Sequence, residues 1–255
     1  MSEEASFWDH LDALRGVILR VLAGVLLVSM VAFCFKEELF SILLAPKEPD
    51  FWTYRMLARL SEVFALEPFE ENFSVRLINT QLAQQFLTHV QVSFYTGFLL
   101  VFPYLLYELF RFVSPALYQK ERFYLKRVVI GGYLMFLSGI ALCYYMVFPF
   151  TFHFLATYQV SNEVENQIVL DSYIGTFVML SLMMGLLFEL PLLTWLLGKL
   201  GFLTSDTLAH YRKHAWVGIL VVVAILTPTS DIFTLLVVAL PIFLLYEISI
   251  WIVKK

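Results

Sequence analysis

The sequence is poor in charge, in cysteine and in every short motif that announces an active site. Charged residues make up 15% of its 255 positions, hydrophobic residues 60%, and the mean hydropathy is +0.78, a balance that excludes an ordinary soluble domain. Its two cysteines, Cys34 and Cys143, fall within apolar stretches and read as buried, inert thiols, so no redox role is drawn from them. HExxH, GxSxG and P-loop patterns are absent. The histidines, His10, His89, His153, His210 and His214, are scattered at no metal-ligand spacing. No enzyme activity, metal, cofactor or nucleic-acid partner is therefore expected. Nothing near Met1 pairs a cleavable apolar region with small residues, so the polar N-terminal stretch is expected to stay with the mature chain.

What the chain has instead is long apolar runs, and they predict an all-α integral membrane protein with a single membrane domain over 1–255. Residues 1–16 space Phe7, Leu11 and Leu14 at a helical period among Asp9, His10, Asp12 and Arg15, as an amphipathic helix does on entering a membrane. Residues 17–35 then suffice for a first crossing, interrupted by Arg20 and Ser29. The acidic, aromatic loop 36–85 holds Pro46, and its helical patterning predicts short helices capping the membrane surface.

Further crossings are predicted over 86–112, with Pro103 as a tolerated kink, over 128–148, with Pro149 at its far end, and over 173–197. Gly131, Gly132 and Gly139 offer close helix approach in the third. In the loop 198–213, Ser205 is expected to cap a short helix over 206–210. The last two of six helices are expected to be short: 214–227 reaches only about 21 Å, and 232–253 carries Pro241 in its middle.

Cations set the expected orientation. Twelve of the seventeen lie in the N-terminal segment, the loops 113–127 and 198–213 with their flanks, and the C-terminus. Both termini are thus expected in the cytoplasm. The densest cluster is 114–127, where Glu121 stands among Lys120, Arg122, Lys126 and Arg127. Glu121 is either a solvated residue paired with a neighbouring cation or a fixed anion that receives an arginine.

Glu189 lies inside an apolar span, two residues before Pro191, where an ionisable group is a functional candidate by default. Asp231 reads as a turn and helix-cap residue, and Glu108 as a partner for Arg111 three positions on. One reading of Glu189 is a proton or ion site in a small-solute secondary transporter. Another makes the whole chain a scaffold whose charges serve topology alone.

The order of motifs resembles the TatC family, the six-span subunit of the twin-arginine protein translocase. The resemblance rests on Asp9-His10-Leu11 with Leu14-Arg15, on Pro46, and on Ser114-Pro115-Ala116-Leu117-Tyr118 with Glu121-Arg122. It continues through Phe148-Pro149, Phe188-Glu189 with Pro191, and Leu226-Thr227-Pro228 through Asp231.

It implies a concave, glove-like bundle in the cytoplasmic (inner) membrane. It also implies a receptor for the twin-arginine signal peptides of folded cargo, driven by the proton gradient or membrane potential. Glu121, Arg122, Arg15, Leu14 and Asp12 would form the peptide site. Glu189 and Pro191 would meet single-span TatA/TatB-type subunits, with self-association in a larger complex, and Pro46, Pro115 and Asp231 are loop positions the family uses. Two departures stand out. Ala13 replaces the usual Glu before Leu14-Arg15, leaving Asp12, Glu121 or a partner to hold the second arginine, and the turn 227–231 carries one extra residue.

Overall fold

The computed structural model describes residues 7–63, 75–113, 125–161, 166–199, 201–227 and 231–253. Helices dominate them: α1 (Phe7–Ala32), α2 (Lys36–Leu44), α3 (Trp52–Val63), α4 (Gln84–Val113), α5 (Leu125–Leu142) and α6 (Phe148–Thr157). They continue with α7 (Leu170–Leu187), α8 (Leu190–Lys199), α9 (Ser205–His210), α10 (Arg212–Leu226) and α11 (Ile232–Val253). The one β-pairing among the described residues is a parallel bridge between Ile78 and Val169.

Five helical stretches are long and apolar enough to cross a bilayer: Leu11–Ala32, Gln84–Phe112, Val128–Thr157, Leu170–Lys199 and Ile232–Val253. The chain is a multi-pass membrane protein. Of the two closing helices expected to be short, only α10 is, at 15 residues. With 22 residues α11 spans fully, because Pro241 sits inside it without ending it.

The described residues fall into two compact units, one within Met1–Lys36 and His89–Leu134, the other within Glu37–Thr88 and Met135–Lys255. In the first, α1 packs on α4 through a seam one turn apart: Val17, Val21 and Val25 meet Val101, flanked by Phe98 and Leu105. Gly97 permits the approach. A Cβ there would stand 2.1 Å from Ser29 Oγ and 2.9 Å from the Val25 carbonyl. The Ser29 hydroxyl, which would otherwise interrupt the seam, donates to its own helix at Val25 O, 2.6 Å away.

In the second unit, small residues again set the closest helix contact. Gly139 of α5 faces Gly185 of α7, where an added Cβ on Gly139 would come within 2.6 Å of the Met184 carbonyl. Gly131 has nothing near it, so the expected close approach belongs to Gly139. Pro149 does not end its span. The chain widens into a π-helical turn over Cys143–Val147 and continues as α6 to Thr157.

The reason is local. Proline has no N–H, so the carbonyl four residues back, Tyr145 O, would be orphaned. The Thr53 hydroxyl of α3 donates to it.

The short helices expected within 36–85 are α2 and α3, fixed by further hydroxyls. A helix leaves its last carbonyls unpaired, and at the end of α2 Tyr144 donates to Ile42 O at 2.8 Å and Tyr173 to Leu43 O at 3.0 Å. The Thr204 side chain, not Ser205, caps α9, accepting from Thr207 N–H at 3.2 Å. Gly201, at φ 78°, supplies the left-handed residue after α8. Cys143 is buried as expected, but Cys34, in the turn after α1, is exposed.

Candidate functional site

The peptide-site candidates at the head of α1 share a helix whose apolar stripe is taken up by α4. Asp12 and Arg15, three residues apart, are exposed, while Leu14 is half-buried. Among the described residues Arg15 has no carboxylate within ion-pair distance. Its guanidinium and the Asp12 carboxylate are therefore open to a polar ligand. Glu121, Arg122 and Pro115, the other half of the expected site, lie outside the described residues.

One turn deeper, Arg20 reaches across from α1 to α4. Its Nη2 donates to Glu108 Oε2 at 2.7 Å, and the Tyr104 hydroxyl donates to Glu108 Oε1 at 2.9 Å. Glu108 is 3% exposed, whereas the Arg20 side chain is 52% exposed. Both carboxylate oxygens are thus engaged, and Arg111, the expected partner of Glu108, is not the one that holds it. Two isolated charges in two apolar spans, each needing a counter-group, were the signal by which the pair could have been found.

Glu189 occupies the turn between α7 and α8. Pro191 has no N–H to return to Leu187 O, and the chain answers with a tighter turn in which Glu189 N–H bonds Leu186 O at 3.1 Å. The helix resumes at Leu193 N–H, 2.9 Å from Glu189 O. Glu189 is 5% exposed, and neither of its carboxylate oxygens has a hydrogen-bond partner among the described residues. A buried polar side chain without a partner is costly. Among the described residues nothing completes the site.

The loop candidates have structural work. The Pro46 carbonyl accepts the Tyr54 hydroxyl at 3.1 Å, which also stands 3.1 Å from Pro149 O, joining the 3-10 turn Ala45–Lys47 to α6. Burial raises the Tyr54 pKa above its usual range. Asp231 Oδ1 accepts Thr234 N–H at 2.6 Å and caps α11 as expected. Sequence reasoning missed Thr53 and Tyr54 as ties, since a threonine or tyrosine in a loop gives no sign of the distant carbonyl it will meet. At the other end of α11, Glu247 pairs with Arg212 Nε at 2.8 Å. Among the described residues no group of three or more His, Cys, Asp or Glu is placed to hold a metal ion.

The family model for the Sec-independent protein translocase protein (TatC) matches residues 9–241. The chain is 32% identical to the Sec-independent protein translocase protein TatC of Blattabacterium sp. subsp. Periplaneta americana, across 98% of this chain and 95% of that one. It is 33% identical to that of Desulforapulum autotrophicum, across 97% and 84%. Crystal structures of the twin arginine translocase receptor TatC, one of them in DDM, align with TM-scores of 0.76 and 0.77 at 29% and 30% identity. Each alignment covers 96% of this chain, with 98% and 100% of the solved chains. With more than nine-tenths of its length matched by model, relatives and fold alike, the chain belongs to the TatC family.

Proposed function

We propose that this chain is the signal-peptide receptor and core subunit of a twin-arginine translocase, exporting folded proteins across the cytoplasmic membrane on the proton gradient or membrane potential. The observation that carries the reading is its near-complete alignment with the twin arginine translocase receptor. The open Asp12 and Arg15 at the head of α1 support it. The family match displaces the small-solute carrier as a reading of Glu189.

In this proposal residues 1–255 act as one membrane domain with both termini in the cytoplasm. Glu121 is the principal acceptor for a signal-peptide arginine, since carboxylate and guanidinium match as bidentate partners. Arg122, Arg15, Leu14 and Asp12 shape the patch, and Pro115 sets the loop. Asp12 stands nearest to the position where Ala13 replaces the usual acid. Glu189, buried and lacking a partner among the described residues, is the contact for a single-span TatA/TatB-type subunit, with Pro191 holding the turn open. Pro46 and Asp231 brace loops on the opposite side, and several copies of the chain assemble in the working complex.

The test is export of a folded reporter by cells that have or lack this chain. The reporter carries either a twin-arginine or a twin-lysine signal. Export that needs both the arginines and the chain is expected, with Glu121→Ala lowering it by roughly tenfold or more, the cost of one charge-assisted contact. Glu189→Ala should leave peptide crosslinking intact while impairing export. Equal export of the twin-lysine reporter would defeat the receptor reading, and full export by Glu189→Ala would remove the partner contact.

A further inference from the structure

Ahead of α4 and ahead of α7 two extended stretches meet. Ile78 N–H donates to Ile168 O at 3.0 Å, and Leu170 N–H donates to Ile78 O at 2.9 Å. Beside this bridge lies a cavity of about 440 Å³. Its polar wall is Lys47, Arg76, Asn79 and Gln85, and its apolar wall includes Leu44 and Leu170.

We propose that this cavity binds the phosphate-bearing head group of an anionic phospholipid. Three observations point to that ligand, the first of them charge. The loop 36–85 has eight carboxylates and five cations, yet two of those cations line this one cavity and none of the carboxylates among the described residues does. Among the described residues the charged lining is cationic alone, which favours an anion. Lys47 shares its ammonium with Glu48, but Arg76 has no carboxylate within ion-pair distance among the described residues and is exposed. Its planar donors suit a phosphate.

The second observation is depth. Gln85 is the second residue of α4 and Leu170 the first of α7, and both helices open membrane spans. The cavity therefore sits where apolar helix gives way to polar loop, the level of lipid phosphates. At that level a cationic side chain is within reach of lipid phosphates, and its attraction for anionic lipids acts over about a Debye length.

The third is size and lining. The volume falls in the range of about 300–1,000 Å³ of small-ligand sites, enough for a head group with its glycerol. Leu44 and Leu170 offer the apolar edge along which acyl chains leave. Asn79 and Gln85 add amide donors for ester carbonyls or a head-group hydroxyl. An acidic peptide would use the cations but has no need of the membrane depth or of that edge.

The experiment uses the purified full-length chain in neutral detergent, titrated with phosphatidylglycerol, phosphatidylcholine, inorganic phosphate or a short acidic peptide, and read by native mass spectrometry and thermal unfolding. Phosphatidylglycerol is expected to remain bound and to raise the unfolding midpoint, while phosphatidylcholine and phosphate do neither. Arg76→Gln should weaken the lipid by roughly tenfold. Arg76→Lys should restore only part of the binding, the charge without the planar fork, and Arg59→Gln, outside the cavity, should change nothing.

Lys47→Gln is the second variant, used if Arg76→Gln fails to elute as a folded species. Equal binding of phosphatidylcholine overturns the proposal, as does a full shift from phosphate alone. So does wild-type lipid affinity in both Arg76→Gln and Lys47→Gln, or an acidic peptide binding where phosphatidylglycerol does not.

Discussion

Arg20 and Glu108 are each a burden in an apolar helix, and together they become a tie. The carboxylate is nearly enclosed and takes a second bond from Tyr104, while the guanidinium keeps one side open. Removing one member of such a pair leaves the other uncompensated, whereas replacing both with apolar groups is far less damaging. Glu108→Ala should therefore lower the thermal midpoint of the detergent-solubilised protein more than the double variant Arg20→Leu/Glu108→Leu. A double variant as unstable as Glu108→Ala would show that the pair's own attraction dominates. The sequence marked both residues as out of place but assigned Glu108 to Arg111, because the i, i+3 rule sees only one helix. The partner it has stands 88 positions away.

At the scale of elements, the same limit explains Pro149. A proline in an apolar run is a reasonable end for a helix when only its neighbours are in view. What carries the helix onward is a hydroxyl 92 residues earlier, Thr53 on Tyr145 O, which no local pattern announces. The spans themselves were legible because twenty apolar residues in a row have few other fates. The cap was legible as helices but not as a bolted structure.

Thr53→Val keeps the shape of the buried Thr53 side chain and removes its donor, leaving the Tyr145 carbonyl without that bond. The expected cost is about 1–3 kcal/mol, read as a shift in the denaturation midpoint. Tyr54 gives the cap an alkaline sensitivity of known sign. With its folded pKa raised, it stays neutral in the folded state above about pH 10, where the unfolded chain ionises. Its contribution is complete below that pH and shrinks as pH rises above it. Stability measured between about pH 9 and 11 should fall less steeply in Tyr54→Phe; an unchanged slope would assign the effect to other groups.

For the whole molecule, the proposed topology counts the five long spans and the short α10 as six crossings, an even number that would put both ends of the chain on one side. Reporter fusions after Lys255 and within the loop 36–85 should fall on opposite faces of the membrane, the C-terminal one in the cytoplasm. Matching signals from both would discard the six-crossing topology. At about 22 Å, α10 falls short of the roughly 30 Å core, yet Val217, Val221 and Ile225 are exposed at one-turn intervals along it. Composition foresaw this shortness; the loop half of the peptide site was legible only as a motif, since Glu121 and its neighbours lie outside the described residues.

The tie between Arg20 and Glu108 also has a history within each molecule. Ribosomes add about 5–20 residues per second, so the 88 positions between the two charges correspond to roughly 4–18 s of synthesis at that rate. Throughout that interval the first span holds a cation whose counter-charge has not yet been made. Arg20 is the tenth residue of the Leu11–Ala32 span, and its long side chain can extend along the helix toward water. The order of translation thus makes α4 the element that brings Arg20 its counter-charge and completes the first helix pair.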